Sequence, residues 1–435
     1  MRAALRAAGI LLLFAGAFAG CAQAPRTADD RPAAAGASAD GNGALTQLGA
    51  LQRSADARKT PLGAYAFWRD QRAHAAPALA PLIDQVLAAN LAELGAYEAA
   101  VLQFPYGIGA LRSVPAPLPD ASTHHAVPAA DAIAALARER RILIVNEAHH
   151  VAQTRLVTLA LLPRLRALGY THVALEGLDE RDRDLARRGY PTAASGIYVR
   201  EPLYGEIVRQ ALALGFTLVP YESAGSDSAE REREQAEHLL TRVFRSAPDA
   251  RLFVHAGYAH AHHRGDYLEV EPMALHLARM TGFRPLVIDQ TVLRPSTPPR
   301  EFGAYRTLLD RFPVHEPALL LDTHGAPWSL EPALYDASVL LPPPQQHIVG
   351  RPDWLALDGA RTPVAVDLDL SAAHLPALLE ARYANESDTA IPADRVLIES
   401  GTGQVVLFLR PGDYRIAASD ATGTVLVRRT LTVGW

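Results

Sequence analysis

Between residues 141 and 289 short apolar β-prone runs alternate with longer amphipathic segments. The runs are 142–145, 172–175, 217–221, 252–255 and 285–288. Helical candidates lie between and beside them at 153–168, 201–214, 228–246 and 271–281, and Gly169, Gly215 and Gly282 each sit just past a helix, where a left-handed stop is favoured. Runs that are apolar throughout, rather than alternating, have both faces buried. Separated by helices, they specify a mostly parallel sheet flanked by helices. The expected fold is therefore α/β, with a site-bearing domain over 125–300.

Each run also delivers an ionisable group at its carboxyl end: Glu147 with His149 and His150 after the first, then Glu176, Glu222, His255 with His260, and Asp289. In parallel sheets ligands bind outside the carboxyl ends, where loops converge and helix N-termini point. A charge directly after an apolar strand is costly to desolvate unless it is paired or functional. Five in sequence place the functional site at this edge.

Glu147, His149, His150, Glu176 and His260 are the catalytic candidates. The spacing of Glu147, His149 and His150 lets a carboxylate and one imidazole face a common point, as a general base with its orienting acid or as metal ligands. Glu176 is either the partner of that imidazole or the base itself. A metal-dependent variant would use His149, Glu176, His255 and His260. His262 and His263 read as solvated loop residues, and Asp289 as an ion-pair partner at the edge. The polar loop at 195–202 carries Tyr198 and Arg200 over the site as ligand contacts, with Glu222 and Tyr258 as further ones. No nucleophile elbow, phosphate loop or dinucleotide fingerprint stands at a strand end, which disfavours serine hydrolysis, nucleotide use and hydride transfer. The charge alternation at 230–237 reads as a solvated helix face.

The run Ile142-Leu143-Ile144-Val145-Asn146-Glu147-Ala148-His149-His150, then Val173-Ala174-Leu175-Glu176, resembles the erythromycin esterase, ChaN and TraB/Tiki superfamily. Val254-His255-Ala256-Gly257-Tyr258-Ala259-His260 looks like the second motif of that superfamily. Asn146 stands where the family has Gly, and either His149 (ChaN-like spacing) or His150 (esterase-like spacing) matches the family histidine. The resemblance covers roughly residues 140–290. It implies a shared scaffold and three chemistries: His/Glu-activated water attacking an ester, metal-dependent peptide cleavage, or haem binding by a lipoprotein.

The remaining chain adds location. Arg2 and Arg6 precede an apolar run at 9–19 that is too short to span a membrane permanently, which reads as an export signal over 1–20. Phe18-Ala19-Gly20-Cys21 resembles a bacterial lipobox, which implies acylation of Cys21, and Ala22 resembles outer-membrane sorting. Cys21 is the single cysteine, so no intrachain disulfide or cysteine-based metal cluster can form. Residues 21–44 read as a flexible tether. Residues 45–124 read as a helical segment packing on the core, with Leu79, Leu82, Ile83, Val86, Leu87, Leu91 and Leu94 on one face. A loop-rich connection follows at 301–394. The β-rich end, 395–435, reads as a small antiparallel sandwich that starts either there or near 335. A net charge of −5 without a basic stripe argues against nucleic acid.

Together these readings predict a lipid-anchored hydrolase of the cell envelope, on an outer-membrane lipoprotein facing the periplasm. His/Glu-activated water, alone or metal-assisted, would attack an ester or amide in a small-molecule or peptide substrate. The alternatives are a haem- or divalent-metal-binding lipoprotein, and an envelope interaction protein with a vestigial site.

Overall fold

The structure is a computed structural model that describes residues 37–107, 117–223, 225, 227–265, 270–296, 302–400 and 402–434; the side chains of residues 37–42 and 402 are outside that description. The export signal and Cys21 lie outside the described residues.

An eight-stranded sheet forms the centre. Its parallel part contains β2 (Ile142–Glu147), β3 (His172–Leu175), β4 (Thr217–Val219), β5 (Leu252–Gly257), β6 (Leu286–Asp289) and β8 (Ala337–Leu340). Two antiparallel strands, β1 (His124–Pro128) and β7 (Ala318–Asp322), close one edge, giving the order β1-β7-β8-β6-β2-β5-β3-β4. The expected α/β fold is present.

Side chains alternate across this sheet. Leu143, Val145, Val173, Leu175 and Phe253 face one core, while Ile142, Ile144, Ala174, Leu252 and Val254 face the other. Both sets are buried, which is why the strands read as unbroken apolar runs. The first face is covered by α5 (Ala129–Ala137), α6 (Arg155–Ala167) and α8 (Pro202–Ala213). The second lies under α9 (Ser228–Leu239) and α10 (Met273–Thr281). Helix starts carry local signals. Glu201 accepts from the Tyr204 amide at 2.8 Å ahead of Pro202, and Asp227 accepts from the Glu230 amide at 2.9 Å. Gly282 closes α10 at φ 73°, a left-handed position that a side chain would strain.

Three boundaries differ from expectation. The sheet runs past residue 300, because β7 and β8 lie inside the stretch read as a loop-rich connection; their short apolar runs are hidden among prolines. The sandwich therefore begins neither at 395 nor near 335 but with β11 (Thr362–Asp369). Strand β11 pairs with β14 (Thr402–Leu409). Facing that pair, β13 (Asp394–Ile398), β12 (Ala377–Tyr383), β15 (Gly412–Asp420) and β16 (Val425–Val433) form the second sheet. Leu368 and Leu407 from one sheet and Leu379 and Ile416 from the other share its core. Between the two main bodies, β9 (His347–Ile348) and β10 (Arg351–Pro352) form a short ladder.

Helix α1 begins at Ala37, inside the stretch read as a tether. With α2 (Pro61–Ala73) and α3 (Ala80–Glu93) it packs mainly on the sandwich, since Leu62, Trp68 and Ile83 cluster with Leu378. Helix α4 (Tyr97–Gln103) reaches the α/β core through Tyr97. Among the described residues no helix is long and apolar enough to cross a membrane.

Candidate active site

The ladder register sets the geometry. Glu147 at the end of β2 lies opposite Gly257 of β5, and His255 lies opposite both Val145 and Leu175. Four of the five strand-end groups therefore meet on adjacent strands. Glu147, Glu176 and His255 are buried, and Glu222 stands at their rim.

Glu147 is the hub. Its Oε1 takes His149 Nδ1 at 2.8 Å and its Oε2 takes His255 Nε2 at 3.0 Å. Arg155, from the first turn of α6, donates to both oxygens at 2.9 and 3.2 Å. Burial alone would raise this carboxyl, but Arg155 and the two imidazoles hold it well below the usual carboxylate range, so it is ionised. The other side of Arg155 is held by Glu201 at 2.9 Å, which also takes the Tyr97 hydroxyl at 2.9 Å.

An ionised Glu147 fixes the proton of His149 on Nδ1 and leaves the Nε2 lone pair open. Glu176 Oε1 is 3.9 Å from that nitrogen, beyond hydrogen-bond range. The bare Cα of Gly257 lies against it, since a Cβ there would fall 2.4 Å from Nε2. Tyr198 stacks on the imidazole at 3.9 Å and 11°, and Tyr258 meets it edge-on at 5.3 Å. The Tyr198 hydroxyl is buried without a hydrogen-bond partner; burial and the charge of Glu176 push it well above the usual phenol range, so it keeps its proton.

A second carboxylate–imidazole pair faces the first. His260 Nδ1 lies 2.5 Å from Glu232 Oε1, and its Nε2 lies 3.7 Å from Glu176 Oε1 and 3.1 Å from Arg231 Nη1. Burial opposes its charge, yet Glu232 and Glu176 raise it above the usual imidazole value. Nε2 accepts from Arg231 at 3.1 Å, and Glu176 lies beyond hydrogen-bond range of it. Glu176 accepts from the Gly257 amide and from Arg231 at 3.3 Å, while Arg231 also holds Glu222 at 3.0 Å. The result is an alternating chain: Glu232, His260, Glu176, His149, Glu147, His255.

Not every candidate joins it. His150 points elsewhere: it stacks on Phe104 at 3.8 Å, and its nitrogens meet Tyr258 Oη at 3.1 Å and Arg294 Nη2 at 3.4 Å. Asp289 makes no direct ion pair among the described residues, though its charge acts on Arg294; it accepts from Asn146 at 2.9 Å and Thr291 Oγ1 at 2.7 Å. His262 and His263 are half-buried rather than solvated, on Tyr335 at 2.8 Å and Asp336 at 2.7 Å. Arg200 lies apart from the imidazoles, lining a neighbouring cleft of about 980 Å³. Gly177, Ile197 and Glu222 line the same cleft, so the turn at Ile197 and Tyr198 partitions it from His149.

Sequence reasoning missed Arg155, Arg231, Glu232 and Glu201. The 230–237 face is not wholly solvated, because Arg231, Glu232 and Gln235 are buried and two of them build the site.

The four candidate metal ligands do not converge as a coordination set. Both nitrogens of His255 are engaged, by Glu147 and by Thr158 at 2.9 Å, and the Arg231 guanidinium stands between Glu176 and His260. Among the described residues no group of three or more His, Cys, Asp or Glu side chains could hold a metal ion. An axial haem ligand fits no better: His255 is saturated, Tyr258 is tied to His150, and the Tyr198 ring lies flat on His149.

No family model matches the chain, and no curated protein matches it. One solved structure, described as bacterial protein toxins, is similar at 15% identity over 59% of this chain, with a TM-score of 0.27. The match spans 47% of that structure's own chain, and at this TM-score it carries no argument.

Proposed function

We propose that this chain is a lipid-anchored envelope hydrolase of the erythromycin esterase, ChaN and Tiki type, in which His149 activates water against an ester or amide. One observation carries the reading: a buried, ionised Glu147 fixes the proton of His149 at 2.8 Å and leaves Nε2 open at the carboxyl edge of a parallel sheet. In this reading Nε2 takes a proton from water as its oxygen adds to the carbonyl, and returns that proton to the departing alcohol or amine as the C–O or C–N bond breaks. His260, its charge supported by Glu232, donates from Nε2 to the developing oxyanion once Arg231 gives up that nitrogen. Glu176, fixed by Arg231 and the Gly257 amide, holds the two imidazoles at their separation. Ligand enters through the cleft lined by Arg200 and Glu222, and the turn carrying Tyr198 moves to admit it. The lipobox-like sequence around Cys21 supports an outer-membrane anchor with the site facing the periplasm.

The test is hydrolysis of a panel of small esters and amino-acid amides by the purified full chain. His149→Ala is expected to lower kcat by about 10² to 10⁴, the usual contribution of a positioned base. His150→Ala alone is expected to retain a larger share of the rate. Unchanged activity in His149→Ala combined with His150→Ala would sink the proposal.

A further inference from the structure

Among the described residues six arginines are buried: Arg155, Arg231, Arg294, Arg351, Arg361 and Arg395. Five face a carboxylate: Glu147, Glu222, Asp394, Glu206 and Glu380 respectively. Arg294 faces none among the described residues. Its bonds go to the carbonyls of Thr291 at 2.9 Å and Pro295 at 3.5 Å, and to His150 Nε2 at 3.4 Å. The charge of nearby Asp289 supports that of Arg294 from beyond ion-pair distance, while its Oδ1 accepts from Asn146 and Thr291. A buried guanidinium with no carboxylate in direct contact keeps its fork unmatched, and that fork fits the two oxygens of a carboxylate or phosphate.

The surroundings suit such a guest. His150 Nε2 accepts from Arg294, so its Nδ1–H is directed at the Tyr258 hydroxyl at 3.1 Å. Burial and the Arg294 charge keep His150 well below the usual imidazole range and hence neutral. Tyr258 sits at φ 41°, a left-handed position that costs a non-glycine residue, and the Asn146 amide bonds its carbonyl at 3.3 Å. The same ring meets His149 edge-on, so this corner adjoins the reacting imidazole.

We infer that Arg294, oriented by His150 and with Tyr258 beside it, receives an anionic group, a carboxylate or phosphate, carried by the molecule that the His149 site takes. The inference names a substrate class and rests on the neighbouring site being a ligand site, but anion binding itself needs no hydrolysis.

Thermal shifts of the full chain are therefore measured against sodium phosphate and sodium acetate separately, at constant ionic strength with chloride as control. One of the two anions is expected to raise Tm saturably, and which one separates the phosphate source from the carboxylate source. Arg294→Gln is expected to weaken that binding about tenfold or more. Tyr258→Phe, a smaller change should Arg294→Gln fail to fold, weakens it several-fold. His149→Ala retains it, so loss of hydrolysis and loss of anion binding are read apart. The inference is overturned if neither anion shifts Tm beyond chloride, or if Arg294→Gln or Tyr258→Phe responds like the native chain.

Discussion

Gly257 shows how the site depends on what a residue lacks. Its φ is ordinary, so conformational freedom is not the reason for glycine; the reason is room, because a Cβ would stand 2.4 Å from His149 Nε2 and 3.0 Å from Glu176 Oε2. Gly257→Ala should therefore push the imidazole off Glu147. A displacement of about 1 Å costs on the order of 10² in rate. Circular dichroism should remain native and, if the hydrolase reading holds, ester hydrolysis should fall by that factor; a fully active Gly257→Ala variant would show that His149 need not stand where it does. The histidines also give the stability of the molecule a signed pH dependence. His150 is held below its unfolded value, so the unfolded chain binds a proton that the folded chain refuses, and stability falls as pH drops below about 6.5. Glu147, also held low, adds a further loss at more acid pH, as its folded value is approached. His260 is raised, so its contribution is complete below the unfolded value and disappears as pH rises through the folded one. Urea midpoints measured from pH 5 to pH 8 should show both limbs. His150→Asn should flatten the upper part of the acid limb; an unchanged slope would mean that His150 is not the group refusing the proton.

Helix α9 tests the same chemistry one level up. Arg231, Glu232, Gln235, Ala236 and Leu239 form its buried face at three- and four-residue spacing, yet three of the five are polar or charged. A periodicity search that counts apolar residues as core reads this helix as exposed. Its buried charges are tolerated only because Glu176, Glu222 and His260 wait just past strand ends distant in sequence. Arg155 escaped for a related reason: it occupies the first turn of α6, eight residues beyond Glu147, where no strand-end rule looks. Strand ends, by contrast, were legible, because an ionisable group after an unbroken apolar run is costly unless partnered, and Glu147, Glu176, Glu222 and His255 all proved to be partnered here. The choice between His149 and His150 was not legible, since adjacent side chains diverge and only the fold decides which one meets Glu147. Two variants follow from these helices. Glu232→Gln removes the carboxylate charge 2.5 Å from His260 Nδ1 and should lower its value, moving the alkaline limb of the stability curve to lower pH. A histidine NMR titration reads this directly, and an unmoved His260 resonance would contradict it. Arg155→Met leaves Glu147 and Glu201 buried without their cation. Breaking a buried pair from one side costs about 3–5 kcal/mol, measurable by urea denaturation.

At the scale of the whole molecule, the C-terminal sandwich braces the loop that covers the site. Arg395 of β13 is buried and donates to Glu380 at 2.8 Å, to the Glu93 carbonyl at 2.7 Å and to the Arg200 carbonyl at 3.2 Å. One side chain thus ties together the sandwich, the end of α3 and the turn that carries Tyr198. The Ile391 amide donates to the Pro191 carbonyl at 2.9 Å, Thr192 bridges Ala390, and Arg209 of α8 holds Glu386 at 2.7 Å. These contacts explain how a domain without strand-end chemistry bears on the site. It restrains the loop from outside, while the α/β sheet supplies the imidazoles from below. Arg395→Met keeps most of the packing volume of the stem but removes all three bonds, and Glu380 keeps Arg382 at 2.9 Å as a remaining partner. The expected loss is about 3 kcal/mol or somewhat less, towards the low end for breaking a buried pair from one side. Because the bonds to Arg200 and Glu93 are lost together, limited proteolysis should cut within 185–200 before any cut in the sheet. If the hydrolase reading holds, KM should rise more than kcat falls, since the imidazoles keep their carboxylates while the turn over them loosens. Cleavage that begins in the sandwich, with the 185–200 segment as resistant as in the native chain, would show that the loop holds its place without the C-terminal domain.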